Sequence, residues 1–471
     1  MSEQWSMKPI GEMCETIRGV TYRGDSARST PGEGMIPLLR ATNVKEGSLN
    51  FEGLVYVPER NVSTTQLLQA GDLVVVASSG SKAVVGKAAI LPQAWRGTFG
   101  AFCLVVRPNQ SKINPEFLSY YLQSSEYRGR ISALAAGVNI NNLRHQHIAE
   151  LTLPVPNREQ QDQTVAVLDS HLSRLDSATE TLERVRLNLK RYRASVLKAA
   201  VAGRLVPTEA ALARADGRPY EPASALLEGI LEERRVRWKA SGKKGKYREP
   251  AARDTANLPE LPEGWCWATV EQLLTEELSN GRSVPDRAGG FPVLRLTALA
   301  GPILKLSESK AGAWTAQEAE PFLVREGDFL VSRGNGSIKR VGLGAIAPVI
   351  KQPIAYPDTL IRIRVAPNAM LPRLLTLIWN SYSVRIQIER AAKTTAGIFK
   401  INQGDLSKIV LPVAPLREQT RLLESLERLL TIADATEASV EADLARLKGL
   451  RSSILRSAFR GELVPNEATL A

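Results

Sequence analysis

The stretch "GSKAVVGKAA" from Gly80 comes nearest to a phosphate-binding loop, in which turn N–H groups and a lysine cradle phosphate oxygens. Five residues rather than four separate Gly80 from Gly86, and Ala88 stands where a Ser or Thr would hold magnesium, so the stretch reads as a β-turn-β element. Gly342-Leu-Gly-Ala-Ile-Ala imitates a dinucleotide fingerprint, but neither an amphipathic helix nor a well-spaced acid follows it. The three histidines, His145, His147 and His171, lack HExxH spacing, and the three cysteines, Cys14, Cys103 and Cys266, are too scattered for a CxxC site or a disulfide framework. No Asn/Asp-Pro-Pro-aromatic segment of the amino-methyltransferase kind and no nuclease-like acid and lysine cluster is found. The expectation is therefore a chain that binds, with no catalytic residue and no metal ligand of its own.

Composition says what it binds. Lys plus Arg exceeds Asp plus Glu by 61 to 49, a net charge of +12 with pI near 9.6, which favours a polyanion, nucleic acid before an anionic membrane. The length of 471 residues, 44% hydrophobic, suits two or three domains with proper cores. Scattered thiols point to a reducing compartment, and no apolar leader or run of about 18 apolar residues is present, so a cytoplasmic protein off the membrane is expected.

The elements that would position a binding surface are written twice. "SVLKAAVAGRLVPTEA" from Ser195 and "SILRSAFRGELVPNEA" from Ser453 share nine of sixteen residues at an offset of 258. "LPVPNREQQ" from Leu153 answers "LPVAPLREQT" from Leu411 with one residue inserted, and "AGDLVVVASSGSKAVVG" from Ala70 answers "EGDFLVSRGNGSIKRVG" from Glu326. Trp5 is set against Trp267. Two similar units of about 200 residues, related by an approximate twofold, are expected. Each opens with short β-branched runs punctuated by Gly, Asp and Pro, a strand-rich domain, interrupted by a helix whose first turn holds Pro115 or Pro372.

After the LPV motifs the period becomes helical for about 40 residues. Val165, Leu168, Leu172, Leu175, Leu182, Leu189, Tyr192 and Val196 form one stripe, and the offset lands on Leu423, Leu426, Leu430, Ala433, Val440, Leu447, Leu450 and Ile454, all apolar. Each helix would span roughly 60 Å, capped by Gly203 or Gly461 and stopped by Pro207 or Pro465. So narrow a seam suits pairing of the two helices better than a broad domain face; packing of each helix on its own domain is the alternative. Between the units, residues 231–250 hold eight Lys or Arg against three Glu, and the linker reads as a solvated, partly disordered connector with one short helix. The boundaries expected are a first domain at 1–155, a helix at 156–207, a basic linker at 208–261, a second domain at 262–413, a helix at 414–465 and a tail at 466–471.

The paired LPV-REQ leads, the helix ends "LKAAVAGRLVP" and "LRSAFRGELVP", and "LPEGWCWATV" from Leu261 resemble the DNA specificity subunits of type I restriction-modification systems over essentially the full length. The first unit departs by lacking the full LPxGWxW lead, keeping only Trp5. The resemblance implies an α+β fold: two strand-rich target-recognition domains, each followed by a long helix, the helices pairing as an antiparallel coiled coil with internal pseudo-twofold symmetry. It further implies a non-catalytic subunit that reads a bipartite, asymmetric site in double-stranded DNA. Its partners would be two modification (methyltransferase) subunits and restriction/translocase subunits. S-adenosylmethionine, ATP and Mg would belong to those partners, leaving this chain without a cofactor.

Basic residues in or beside glycine-rich turns can approach phosphates and base edges. They are Arg23, Lys82 and Lys87 in the first domain, and Arg282, Arg333, Lys339, Arg340, Lys393 and Lys400 in the second. Arg40 and Arg295 hold equivalent strand positions and read as structural. A coiled-coil adaptor that does not touch DNA, and a stand-alone nucleic-acid-modifying enzyme, are the alternatives.

Overall fold

A computed structural model describes residues 5–134, 141–242, 244–252, 258–395 and 397–464. Two compact units emerge, and they do not follow chain order: one comprises the residues up to Val185 together with those from Ser439 on, the other Arg186–Ala438. The division falls inside both long helices.

Each unit holds one strand-rich domain, and the two share a topology. The LPV motif is a strand that closes the domain: Thr152–Val155 runs antiparallel to Ser6–Pro9, and Val410–Val413 to Cys266–Thr269. The registers Ser6↔Val155 and Cys266↔Val413 make Trp265 the counterpart of Trp5. The pairing of Trp5 with Trp267 is thus corrected by two residues; the Trp267 indole instead donates to the Pro259 carbonyl. The runs "LVVV" and "FLVS" are central strands of four-stranded antiparallel sheets. In the first domain the order is Cys14–Arg18, Cys103–Pro108, Leu73–Val76, Ala88–Ile90; in the second, Ser279–Asn280, Leu360–Ile363, Phe329–Ser332, Gly344–Ile346. The phosphate-loop imitation is indeed the connection between two paired strands, Leu73–Val76 and Ala88–Ile90.

The Gly-Asp that precedes each central strand has a structural task. Asp72, 1% exposed, takes a two-pronged contact from Arg107 at 2.8 Å on each oxygen and caps the Gln69 N–H. Asp328 meets Arg364 and the Arg325 N–H in the same way. Such a fork matches the planar guanidinium to both carboxylate oxygens.

The helices Arg158–Val201 and Leu416–Phe459 each begin with a buried glutamine. Gln161 accepts from the Asn114 N–H and donates to the Pro156 carbonyl; Gln419 accepts from the Leu371 N–H and donates to the Ala369 and Ala414 carbonyls. Asn114 and Leu371 are the N-caps of the proline-led helices Pro115–Tyr121 and Pro372–Trp379. The structurally matched pair is therefore Gln161 and Gln419, at the same 258 offset as the LPV strands and the helix starts, so the one-residue insertion read from the REQ triplets is corrected: no residue is inserted between strand and helix.

In the first unit Val165, Leu168, Leu172 and Leu175 share one core with Phe117 and Tyr121 of the domain and with Leu455, Ala458 and Phe459 from the end of the second helix. Val440 is buried, Leu182, Leu447 and Ile454 are half-buried, and Leu450 is exposed. In the second unit Val196 and Ala200, at the end of the first helix, share a core with Leu422, Leu426, Leu374 and Trp379. Ala433 is buried, Leu189, Leu423 and Leu430 are half-buried, and Tyr192 is exposed. Within each unit, residues of the stripe thus share a core with a strand-rich domain and with residues of the other long helix.

Tyr192 and Leu450, equivalent positions, are corrections to the seam. One residue on, an arginine makes the cross-helix contact instead: Arg193 pairs with Asp434 and Glu437, each at 2.6 Å, and Arg451 pairs with Asp176 at 2.6 Å. Arg193 and Arg451, like Asp176 and Asp434, are related by the same 258-residue offset.

The repeated phrase closes each long helix against the other copy's domain. Gly203 (φ 62°) and Gly461 (φ 74°) adopt the left-handed conformation that ends a helix. A Cβ on Gly203 would lie 2.4 Å from Pro262 and 3.1 Å from Trp265; one on Gly461 would lie 3.4 Å from Trp5.

The linker is not a loose connector throughout, although its basic run 231–250, helical as far as Ala240, is largely exposed among the described residues. It forms helices Glu209–Ala215 and Ala223–Ala240, with Ala223 and Ile230 inside the second unit's core. Glu209, 1% exposed, pairs with Arg218 at 2.6 Å and Arg421 at 2.7 Å, and its N–H donates to buried Glu418, which also accepts from the Trp265 indole. Burial pushes the Glu209 carboxyl up, but the two guanidiniums outweigh it and hold it below the ordinary range. A depressed acid stabilises the fold above its unfolded pKa, about 4.3, and loses that contribution as pH falls through the folded value. Glu209→Gln is expected to cost about 1–3 kcal/mol at neutral pH and to flatten the acid limb of stability, read from urea midpoints between about pH 7 and pH 3. An acid limb as steep as the parent's would contradict the assignment.

Candidate nucleic-acid interface

In each four-stranded sheet one edge gathers loops from separate parts of the chain. In the first domain the pairings Arg18↔Leu104, Val76↔Cys103 and Val75↔Ala88 place the chain after Arg18, before Cys103, after Val76 and before Ala88 together. Arg23, Phe102, Lys82 and Lys87 issue from that edge. Arg23 and Lys82 are exposed, Lys87 is half-buried, and Phe102 is 67% exposed although its carbonyl accepts from the Ala77 and Ser78 N–H groups. Phe102 gave no signal in the sequence, because nothing in a lone phenylalanine announces exposure.

The corresponding edge of the second domain carries Arg282 after Asn280 and Arg333 after Ser332. Strand Gly334–Asn335 then pairs with Ile398–Lys400, which pairs with Lys393–Thr395 in the registers Gly334↔Lys400 and Lys393↔Lys400. The Ile401 N–H donates to the Arg333 carbonyl. Lys339 and Arg340 lie in the turn Ile338–Arg340 of the same connection. Four stretches of sequence thus bring six cations to one edge, and none of the six forms a salt bridge among the described residues. Arg282 faces Glu318, whose carboxyl is held low first by the Thr315 N–H and hydroxyl and then by Arg282. Arg40 and Arg295 do as structural residues would: they donate to the Gly53 and Ser309 carbonyls.

A further pair of arginines went unread. Arg128, on Ser125–Leu134, donates to the Val85 carbonyl at 2.7 Å and the Ala83 carbonyl at 2.9 Å. Arg385, on Tyr382–Ala391, donates to Val341 at 2.7 Å and to Ile338 and Lys339 at 3.3 Å. The signal available was an Arg-x-x-Ile repeated in both copies, with Ile131 and Ile388.

Among the described residues no three His, Cys, Asp or Glu converge as a metal site. Burial pushes the Cys14 and Cys103 thiols up to about 12 and Cys266 up to about 11, so none is a thiolate at neutral pH. His147 accepts the Arg144 N–H at a helix start, and His145 lies 3.1 Å from the Arg18 guanidinium. No helix among the described residues is long and apolar enough to cross a membrane.

A family model described as "Type I restriction modification DNA specificity domain" matches residues 2–187. The specificity subunit of the type I restriction enzyme EcoKI from Escherichia coli K12 is 31% identical over 465 residues, spanning 98% of this chain and 90% of that one. The chain belongs to the type I restriction enzyme specificity subunits. The StySPI specificity subunit of Salmonella potsdam is 29% identical over the same shares of the two chains. A solved structure described as underlying complex assembly and conformational transition of the type I R-M system matches with a TM-score of 0.61 at 17% identity, covering 98% of this chain and 99% of that one; it shares the fold. Within this specificity subunit the family model stops about two-thirds of the way along the first long helix, and the second copy is recognised by its strand order and by the arginine, glutamine and glycine positions it shares with the first.

Proposed function

We propose that this specificity subunit reads a bipartite, asymmetric site in double-stranded DNA, one half with each domain, and scaffolds two modification subunits and the restriction/translocase subunits. Catalysis, and with it S-adenosylmethionine, ATP and Mg, lies with those partners, and the assembly works in the cytoplasm. The carrying observation is the recurrence, in two topologically equivalent domains, of a sheet edge that collects cations from separate loops whose sequences differ. Equivalent scaffolds with unlike loops read unlike half-sites. The two long helices are the ruler: we read them as one antiparallel pair, a reading supported by the matched ion pairs Arg193–Asp434 and Arg451–Asp176. A rod of fixed length sets half-site spacing as dimer geometry does in other DNA readers.

Mapping methylated adenines in DNA from cells carrying the complete system tests this. Two half-sites of different sequence at one fixed separation are expected; methylation at a single contiguous palindrome, or none that depends on this chain, would overturn it. In the assembled complex, Lys393→Gln with Lys400→Gln should weaken binding across all sequences and reduce the slope of log affinity against log salt by about 0.9 for each phosphate that is no longer neutralised. An unchanged slope removes these two lysines from the interface.

A further inference from the structure

The DNA-reading turns of the two domains differ in sequence, "GSKAVVGK" against "GSIKRVGL", yet they are seated in the same way. Gly86 (φ 77°) and Gly342 (φ 66°) close the turns in a conformation glycine adopts freely. Each lies against the same isoleucine position: a Cβ on Gly86 would fall 2.3 Å from Ile131 Cγ2, and one on Gly342 2.4 Å from Ile388 Cγ2. One helical turn before each isoleucine, Arg128 or Arg385 holds the carbonyl just before the glycine, Val85 or Val341, at 2.7 Å, and a second carbonyl two residues earlier. The Arg385 side chain is 12% exposed and leans on Glu389 at 3.5 Å, so it is committed to the turn and not to solvent.

We infer that Arg128 and Arg385, with Ile131–Gly86 and Ile388–Gly342, form a common socket that fixes the reading turn of each domain, and that these arginines are positioning residues for sequence discrimination without touching DNA. The inference rests on the proposed reading of a two-part DNA site and deepens it. A guanidinium can satisfy two carbonyls of a tight turn at once with its forked donors, which an ammonium cannot do in the same geometry. Turn carbonyls held this way fix the direction of Lys82 and Lys87 in one domain and of Lys339 and Arg340 in the other. Base readout depends on that direction; attraction to phosphate does not.

The test uses the specificity subunit assembled with its modification subunits, and duplexes carrying the mapped site with one base pair changed in either half. In the parent complex each change should weaken binding roughly tenfold or more. Arg385→Gln is expected to bring discrimination in the second domain's half-site to within about twofold while the other half-site is still read in full, and Arg128→Gln to do the reverse; Arg385→Lys should recover only part. Hydrogen exchange should quicken at residues 338–342 in Arg385→Gln and at 83–86 in Arg128→Gln, with the core strands unchanged, which separates a loosened turn from an unfolded domain. Full discrimination in both variants, or loss in both halves at once, overturns the socket. A parent complex that discriminates at neither half-site overturns instead the reading on which it rests, and with it the socket's purpose.

Discussion

Replacing Phe459 by alanine is expected to destabilise the first unit by about 3–5 kcal/mol, the range for deleting a buried aromatic ring. Phe459 is 6% exposed and meets Phe117 and Tyr121 edge-on at centroid separations of 5.1 and 5.3 Å. Both rings belong to a domain encoded more than 300 residues earlier, and both line the surface on which Leu168 and Leu172 pack. A substitution at the end of the second long helix should therefore be felt in the domain at the start of the chain. Hydrogen exchange would read this directly: protection should fall around residues 117–121 and 165–175, with residues 374–379 and 422–426 unaffected. A cost below about 1 kcal/mol, or protection reduced equally in both units, would show that the helix end does not complete this core.

Arg107→Leu is the second change of that size. It strips Asp72 of both guanidinium contacts and leaves a carboxylate that is 1% exposed with one backbone N–H for company. Uncompensated buried charge of this kind costs about 3–5 kcal/mol. The arginine also ties down the Leu67 carbonyl at 2.8 Å, so the loop before the central strand loosens with it. Arg107→Leu combined with Asp72→Asn should recover part of the loss, because no bare charge then remains; a double-mutant cycle on urea midpoints measures the coupling. Additive losses would mean that the pair does not act as one. In the second domain Arg364 also contacts Glu276 at 2.7 Å, so Arg364→Leu strands two acids, of which Glu276 still reaches Arg325 and Arg362.

What could be read from the sequence was whatever local spacing controls. Short apolar, β-branched runs gave the central strands, and Pro115 and Pro372 gave two helix starts. Glycine at 203 and 461 gave the helix ends. What could not be read was mostly the choice of a distant partner. Arg193 and Arg451 look like solvated helix charges until Asp434 and Asp176, 241 and 275 residues away, are brought beside them. The linker as a whole suggested a loose connector because composition carries no sign that Glu209, well ahead of the basic run, is buried and doubly paired. Among the candidate contacts, spacing alone left Lys393 and Lys400 unconnected to Arg333; the three-stranded sheet that joins them is a long-range pairing. Arg128 and Arg385 were hidden for the opposite reason, a charged residue spent on backbone carbonyls looking the same in sequence as one spent on water.

The exchange of helix ends between the two copies also bears on how the protein is made. The second unit is contiguous from Arg186 to Ala438, so a nascent chain can finish it in the order of synthesis. The first cannot be finished that way: its interior waits for Leu455, Ala458 and Phe459, which leave the ribosome roughly 270 residues after Val185. At about 5–20 residues per second that interval is roughly 10–50 s. For that time the greasy face of the earliest-born domain stands open to chaperones or to another polysome's product, and the first part translated is the last to mature.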